Sequence, residues 1–112
     1  MEIEIRRWLY NVSKAIAEID SFFEDSPKTF SAYQHDLKTR RAIERNIEII
    51  GEALNRILTI QPDIGILNSR KIVNTRNRII HGYDSVSDEM IWSIVIKHLP
   101  ILKFEIQALL NS

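Results

Sequence analysis

The sequence predicts an all-α fold, an antiparallel bundle of four or five helices formed as a single domain over residues 1–112. Three observations predict it. Apolar residues recur at three- and four-residue steps along most of the chain, which is the period of one helix face. The interruptions fall at proline and glycine. No segment alternates apolar and polar residues in the two-residue period of a strand.

Each helix can be justified in turn. Ile5, Trp8, Leu9, Val12, Ile16, Ile19 and Phe23 form one stripe on a long first helix that stops at Asp25-Ser26-Pro27. A second helix runs from about Ser31 to Ile60, with Leu37, Ile43, Ile47, Ile50, Leu54, Ile57 and Leu58 on its stripe. Gly51 lies inside it, where glycine costs roughly 1 kcal/mol relative to alanine, so close approach of another helix is expected there. Gln61-Pro62-Asp63-Ile64-Gly65 is the clearest break in the chain. Asn68 or Ser69 can cap a shorter third helix reaching about His81, and Gly82 is placed to stop it. Ser87, followed by Asp88 and Glu89, opens the last helical region with the acidic first turn that the helix dipole favours. Pro100 should kink that region or split it in two. Trp8, Phe22, Phe23, Trp92 and Phe104 fall at core spacing.

Composition narrows the function. Apolar residues make up 45% of the 112 and charged residues 27%, which suits a folded soluble domain with a core of modest margin. Lys+Arg and Asp+Glu are both 15, so the chain is not built to coat nucleic acid with its whole surface, and only a local basic site is open to it. With no cysteine there is no disulfide, thiolate metal site or thiol nucleophile, which fits a reducing cytoplasm. Met1 to Arg7 is charged and amphipathic, unlike a signal peptide, and no apolar run is long enough to span a membrane. The expectation is a cytoplasmic protein with no membrane association and no cofactor.

The local basic site is legible. No acidic residue occurs between Asp63 and Asp84, whereas Arg70, Lys71, Arg76, Arg78 and His81 all do. Such a helix suits a phosphodiester better than a sugar or a peptide. The planar guanidinium of Arg76 pairs with phosphate oxygens and can stabilise the added charge of a pentacoordinate phosphorane. An imidazole such as that of His81 can take a proton from a ribose 2′-hydroxyl or give one to a leaving 5′-oxygen. Together they suffice for metal-free RNA cleavage through a 2′,3′-cyclic phosphate. His35 and His98 have no metal-ligand spacing to His81 or to each other, so no metal site is expected.

Geometry constrains this pair. At about 100° per residue, Arg76 and His81 lie roughly 140° apart on a straight helix. Arg76 projects beside Ile72, Ile79 and Ile80, and His81 projects with Arg70, Asn74 and Asn77. The site closes within one subunit only if the helix loosens near Gly82 or Arg76 reaches around it. A symmetric dimer is the other way to complete it. A bland reading stands beside each residue. Arg76 can be a structural arginine paired with Glu48 or Glu52, His81 a helix-end residue, and Tyr83 a half-buried packing residue.

The stretch Arg76-Asn77-Arg78-Ile79-Ile80-His81-Gly82-Tyr83 resembles the R-x4-H-x-Y motif of the HepT-like proteins of the HEPN superfamily. Arg45-Asn46-Ile47-Glu48-Ile49-Ile50-Gly51-Glu52-Ala53 resembles the second-helix signature of that family. Ile91-Trp92-Ser93-Ile94-Val95 and His98-Leu99-Pro100 resemble its C-terminal half. The resemblance implies the toxin of a type VII toxin–antitoxin pair, a metal-independent ribonuclease with its active site at a homodimer cleft. It makes Arg76 and His81 catalytic and Asn77 the supporting polar residue. It makes Tyr83 the tyrosine that an MntA-like nucleotidyltransferase antitoxin modifies with AMP. Arg70, Lys71 and Arg78 are then expected to hold RNA. The alternative is a non-catalytic helical module that binds such a nucleotidyltransferase or its nucleotide substrate.

Overall fold

In the computed structural model, described for residues 1–67, 69–82 and 86–112, every regular element among the described residues is helical. The order is α1 (Ile3–Ser21), α2 (Phe30–Gln34), α3 (Leu37–Ile60), α4 (Ser69–Ile80), α5 (Asp88–Ser93), a π-helical turn (Ile94–His98) and α6 (Leu99–Leu110). The last three form one continuous rod. The four long rods and short α2 make the all-α bundle that the periodicity predicts.

α1 buries the expected stripe, Ile5, Trp8, Leu9, Val12, Ile16 and Ile19. It ends at Ser21, before Asp25-Ser26-Pro27, because the chain tightens there. The Phe22 amide donates to the Ile19 carbonyl and the Phe23 amide to the Asp20 carbonyl, at 3.1 and 3.2 Å. This turn aims Phe23 at Trp92, with ring centres 5.8 Å apart in an edge-on contact.

The expected helix from Ser31 to Ile60 is two helices. Asp36 is an N-cap: its carboxylate accepts from the Thr39 amide at 3.1 Å and the Thr39 hydroxyl at 2.7 Å. The periodicity of the long stripe hides this break. Leu37, assigned to the stripe, is exposed at the new N-terminus. The rest of α3 buries Ile43, Ile47, Ile50, Leu54 and Ile57 as expected.

α4 ends near the predicted place, and Gly82 takes a φ of 65° in the left-handed region that ends helices. Of its two proposed caps, Asn68 lies outside the described residues, and Ser69 is the first helical residue. Ser87 caps α5 by accepting from the Met90 amide at 3.1 Å. The split expected at Pro100 is the π turn. Proline has no N–H, and its ring collides with the carbonyl four residues back, so the wider turn over Ile94–His98 accommodates it. Phe104, expected in the core, is 76% exposed on α6.

α1 packs on α3 and α6, and α3 packs on α4. The Arg6 guanidinium donates to the Leu110 carbonyl at 3.0 Å, and Lys103 pairs with Asp20 at 3.1 Å, so α1 and α6 run antiparallel. α3 and α4 meet at Gly51. A Cβ added there would collide with the Arg76 Cβ and lie 2.8 Å from its Cγ and 3.4 Å from the Ile72 carbonyl oxygen. The glycine therefore permits the close approach.

Two predictions follow from this packing. Gly51→Ala should gain helix propensity but lose more to the clash, destabilising the fold by about 1–3 kcal/mol in denaturant unfolding. A stabilised variant would refute the close approach. The second concerns His98, whose pKa is held below the ordinary value of 6.5 by burial first, then by the charges of Lys71 and Lys97. Above that value both folded and unfolded chains are neutral at this residue, and its contribution to stability is complete. As pH falls below it, the unfolded chain takes up the proton first, and stability declines until folded His98 also protonates. The unfolding midpoint should therefore drop on acidification from about pH 7 to 5, and less steeply in His98→Asn. Equal slopes would refute it.

Candidate active site on helix α4

Arg76 leaves the buried stripe of α4 and reaches the edge of α3. Its side chain is 21% exposed. One terminal nitrogen, Nη2, donates to Glu52, and Nη1 donates to the Asn77 side-chain oxygen at 2.9 Å. Nε is buried with no hydrogen-bond partner among the described residues. A guanidinium has five donor hydrogens, so these two bonds leave others for a ligand. Of the two acidic partners that the spacing allows, the structure selects Glu52. Glu48 instead accepts from Arg45 at 3.2 Å.

Glu52 is a bridge. Its second oxygen accepts from Arg56 Nε at 2.9 Å, one turn along α3. The carboxylate thereby holds two guanidinium groups at one edge of an open cleft of about 490 Å³. Trp8 and Asn11 of α1 form one wall of this cleft, and Arg76 and Ile80 of α4 line it too. α3 provides the rest with Arg45, Glu48, Ile49, Glu52, Ala53 and Arg56. The structural pairing of Arg76 and its presence at an open cleft hold together, because Glu52 restrains the side chain, which still lines the cleft.

The other predicted residues are spread around α4. Asn77 is half-buried beside Arg76. His81 is exposed on the turn after α4, where its backbone N–H donates to the Asn77 carbonyl at 3.2 Å. It does not line the Arg76 cleft. Arg70 is exposed and shares the helical position of His81, eleven residues away and about three turns along. Arg78 leans toward α5, with a terminal nitrogen 3.6 Å from the Met90 sulfur. Lys71 is exposed and close enough to His98 to act on its charge. Tyr83 lies outside the described residues.

The structure thus brings Arg76, Asn77 and Glu52 together and leaves His81 on the adjoining face. Trp8, Asn11 and Arg56 are cleft residues that the sequence reading missed. Part of the signal was present: Arg45, Ile49, Glu52 and Arg56 recur at helical steps along one side of α3. That α1 would supply the opposite wall has no local signature.

Chemically, the cleft offers a fixed cation to an anion, and the adjoining face offers an imidazole. Among the described residues, no group of three His, Cys, Asp or Glu side chains is placed to hold a metal ion. No helix among them is long and apolar enough to cross a membrane.

Residues 12–109 match the family described as Ribonuclease HepT-like. A provisionally assigned RNase of Methanocaldococcus jannaschii is 29% identical over 113 residues, covering 97% of this chain and 89% of that protein. A probable ribonuclease HepT of Thermococcus cleftensis is 30% identical over 106 residues, covering 91% of this chain and 92% of its own length. A provisionally assigned RNase of Caldanaerobacter subterraneus is 28% identical over 85 residues, covering 75% of this chain and 76% of its own. No solved structure gives a significant match. With a helical bundle throughout, and with the family match spanning α3 and the Arg76–His81 segment of α4, the chain belongs to the HepT-like ribonuclease family of the HEPN superfamily.

Proposed function

We propose that this protein is a metal-independent endoribonuclease that works as a homodimer, with Arg76 and His81 as catalytic residues. The observation that carries the reading is the Arg76 guanidinium, held by Glu52 and Asn77 at the edge of an open cleft, on the helix whose closing turn carries His81. In a purely structural role the guanidinium would have no need of a cleft beside it.

The five helical steps from Arg76 to His81 amount to about 7.5 Å along an ideal helix and 140° around it. A two-fold axis beside α4 would set His81 of one copy toward Arg76 of the other and complete both sites. Ile80, apolar, 46% exposed and at the cleft, is the side chain that such an axis would cover.

In the proposed reaction, neutral His81 accepts the proton of a ribose 2′-hydroxyl. The 2′-oxygen attacks phosphorus and the bond from phosphorus to the 5′-oxygen breaks. That oxygen takes a proton from an imidazolium or from water as it leaves, and the other product ends in a 2′,3′-cyclic phosphate. Arg76 holds the charge that builds on the phosphoryl oxygens. Asn77 keeps its guanidinium in place. Arg70, Lys71 and Arg78 add the field that draws in the RNA backbone.

In the cell, the proposed role is the toxin of a type VII toxin–antitoxin pair in the cytoplasm. An MntA-like nucleotidyltransferase would silence it by moving AMP from ATP to the Tyr83 hydroxyl, with release of pyrophosphate. Tyr83 follows directly on Gly82, whose backbone is left-handed, and stands two residues after His81 in the sequence. An attached nucleotide there brings negative charge that repels RNA and can pair with a nearby arginine.

Two outcomes test this reading. Purified protein should cut RNA in the presence of EDTA, and His81→Ala should lower the rate by roughly 10²–10⁴-fold. Activity that survives the substitution, or that EDTA abolishes, would overturn the mechanism. Tyr83→Phe should keep the nuclease activity and escape silencing by the nucleotidyltransferase and ATP. AMP found by mass spectrometry on another residue would exclude the proposed switch.

A further inference from the structure

The cleft beside Arg76 is larger than a phosphate requires. Its volume of about 490 Å³ lies in the range of pockets that enclose small molecules. α3 sets its length. Arg45, Ile49, Ala53 and Arg56 follow one another at steps of four, four and three residues and so form one row on the helix. From Arg45 to Arg56 the row covers about 16 Å along the axis. A guanidinium stands at each end, with aliphatic side chains between them. Trp8 of α1, 9% exposed, lines the same cleft with the part of its ring that the core leaves uncovered.

The aliphatic middle of the row, with a cation at either end and the Glu48 and Glu52 carboxylates that hold those cations beside it, matches the alternation of a single RNA strand, in which a flat base sits between two charged phosphates. The end cations can be recruited. Arg45 and Arg56 are 70% and 57% exposed and are paired with Glu48 and Glu52 of their own helix. Exposed pairs of this kind are weak, so a phosphate can draw either arginine away. Asn11, an exposed amide that also lines the cleft, offers both a donor and an acceptor.

We propose that this cleft is a nucleobase subsite. One base of the RNA packs against Trp8 and Ile49, its flanking phosphates meet Arg45 and Arg56, and Asn11 reads its edge. The subsite would fix which nucleotide lies next to the phosphate held by Arg76, and so set base preference at the cut. This inference rests on the ribonuclease reading, but binding can be measured without cleavage.

The chain carries its own control. It has two tryptophans, and Trp92 lies among Phe23, Phe30 and Tyr33 and does not line the cleft. The full-length protein is titrated with the four nucleoside 3′-monophosphates, with ribose phosphate and with inorganic phosphate, while the two indole N–H signals are followed by NMR. The signals are assigned with Trp92→Phe. Nucleotides should move the Trp8 signal and leave that of Trp92, and the two base-free phosphates should leave both. Asn11→Ala, a change at an exposed position, should weaken the preferred nucleotide by roughly three- to tenfold and narrow the spread among the four. A Trp8 signal that stays still, or that moves as far with ribose phosphate, overturns the subsite. RNA cut in EDTA with a silent Trp8 would remove the subsite alone. Nucleotides that shift Trp8 in a chain that cuts no RNA would support the subsite and remove the ribonuclease reading.

Discussion

The contact between α4 and Gly51 sets the geometry on which the rest of the site depends. Because residue 51 has no side chain, the Arg76 stem lies directly on the α3 backbone. Its guanidinium then arrives beside Glu52, the next residue on α3. Any larger residue at position 51 would push the helices apart and carry the charged head away from its partner. The helix-propensity cost of the glycine, roughly 1 kcal/mol, is small compared with leaving a half-buried arginine unpaired.

That ion pair is better understood as a positioning device than as a source of stability. Taking both charges partly out of water costs much of what their attraction returns. What the pair secures is direction. Glu52 and Asn77 hold the two ends of the guanidinium fork, and Glu52 in turn holds Arg56. The cleft therefore has a fixed edge before any ligand arrives, which lowers the ordering cost of binding. In the proposed reaction the same carboxylate would share Arg76 with an incoming phosphate, which moderates the positive charge of the site.

A second cluster holds α5, the helix that follows the His81 turn. Phe23, Phe30, Tyr33 and Trp92 join the turn after α1, helix α2 and helix α5 through ring contacts of 5.1 to 6.3 Å. Arg40 of α3 pairs with Asp88 at the start of α5, at 3.2 Å. Burial, then the charges of Asp88 and Glu44, push the Tyr33 hydroxyl far above its ordinary pKa, so it stays protonated. With α5 anchored this way and α4 held on Gly51, both ends of the connection between them are set by packing.

The helical periodicity of the chain was enough to give the all-α bundle, because each stripe must be buried whatever its partner is. The glycine in α3, the stop at Gly82 and the cap at Ser87 were legible for the same reason, as each is a local constraint on the backbone. The break at Asp36 and the early end of α1 were less so, because a short cap or turn can interrupt a stripe without disturbing its period. Phe104 shows the limit of spacing, which gives a face but not a neighbour to cover it. For the site, the sequence by itself named Arg76, Asn77 and His81 and left Arg76 divided between a structural and a catalytic reading. Only the tertiary structure chose Glu52 over Glu48 and brought Trp8 and Asn11 of α1 to the same cleft. Those decisions depend on the distance and rotation between packed helices, which arise from side chains far apart in the chain and leave no periodic trace along it.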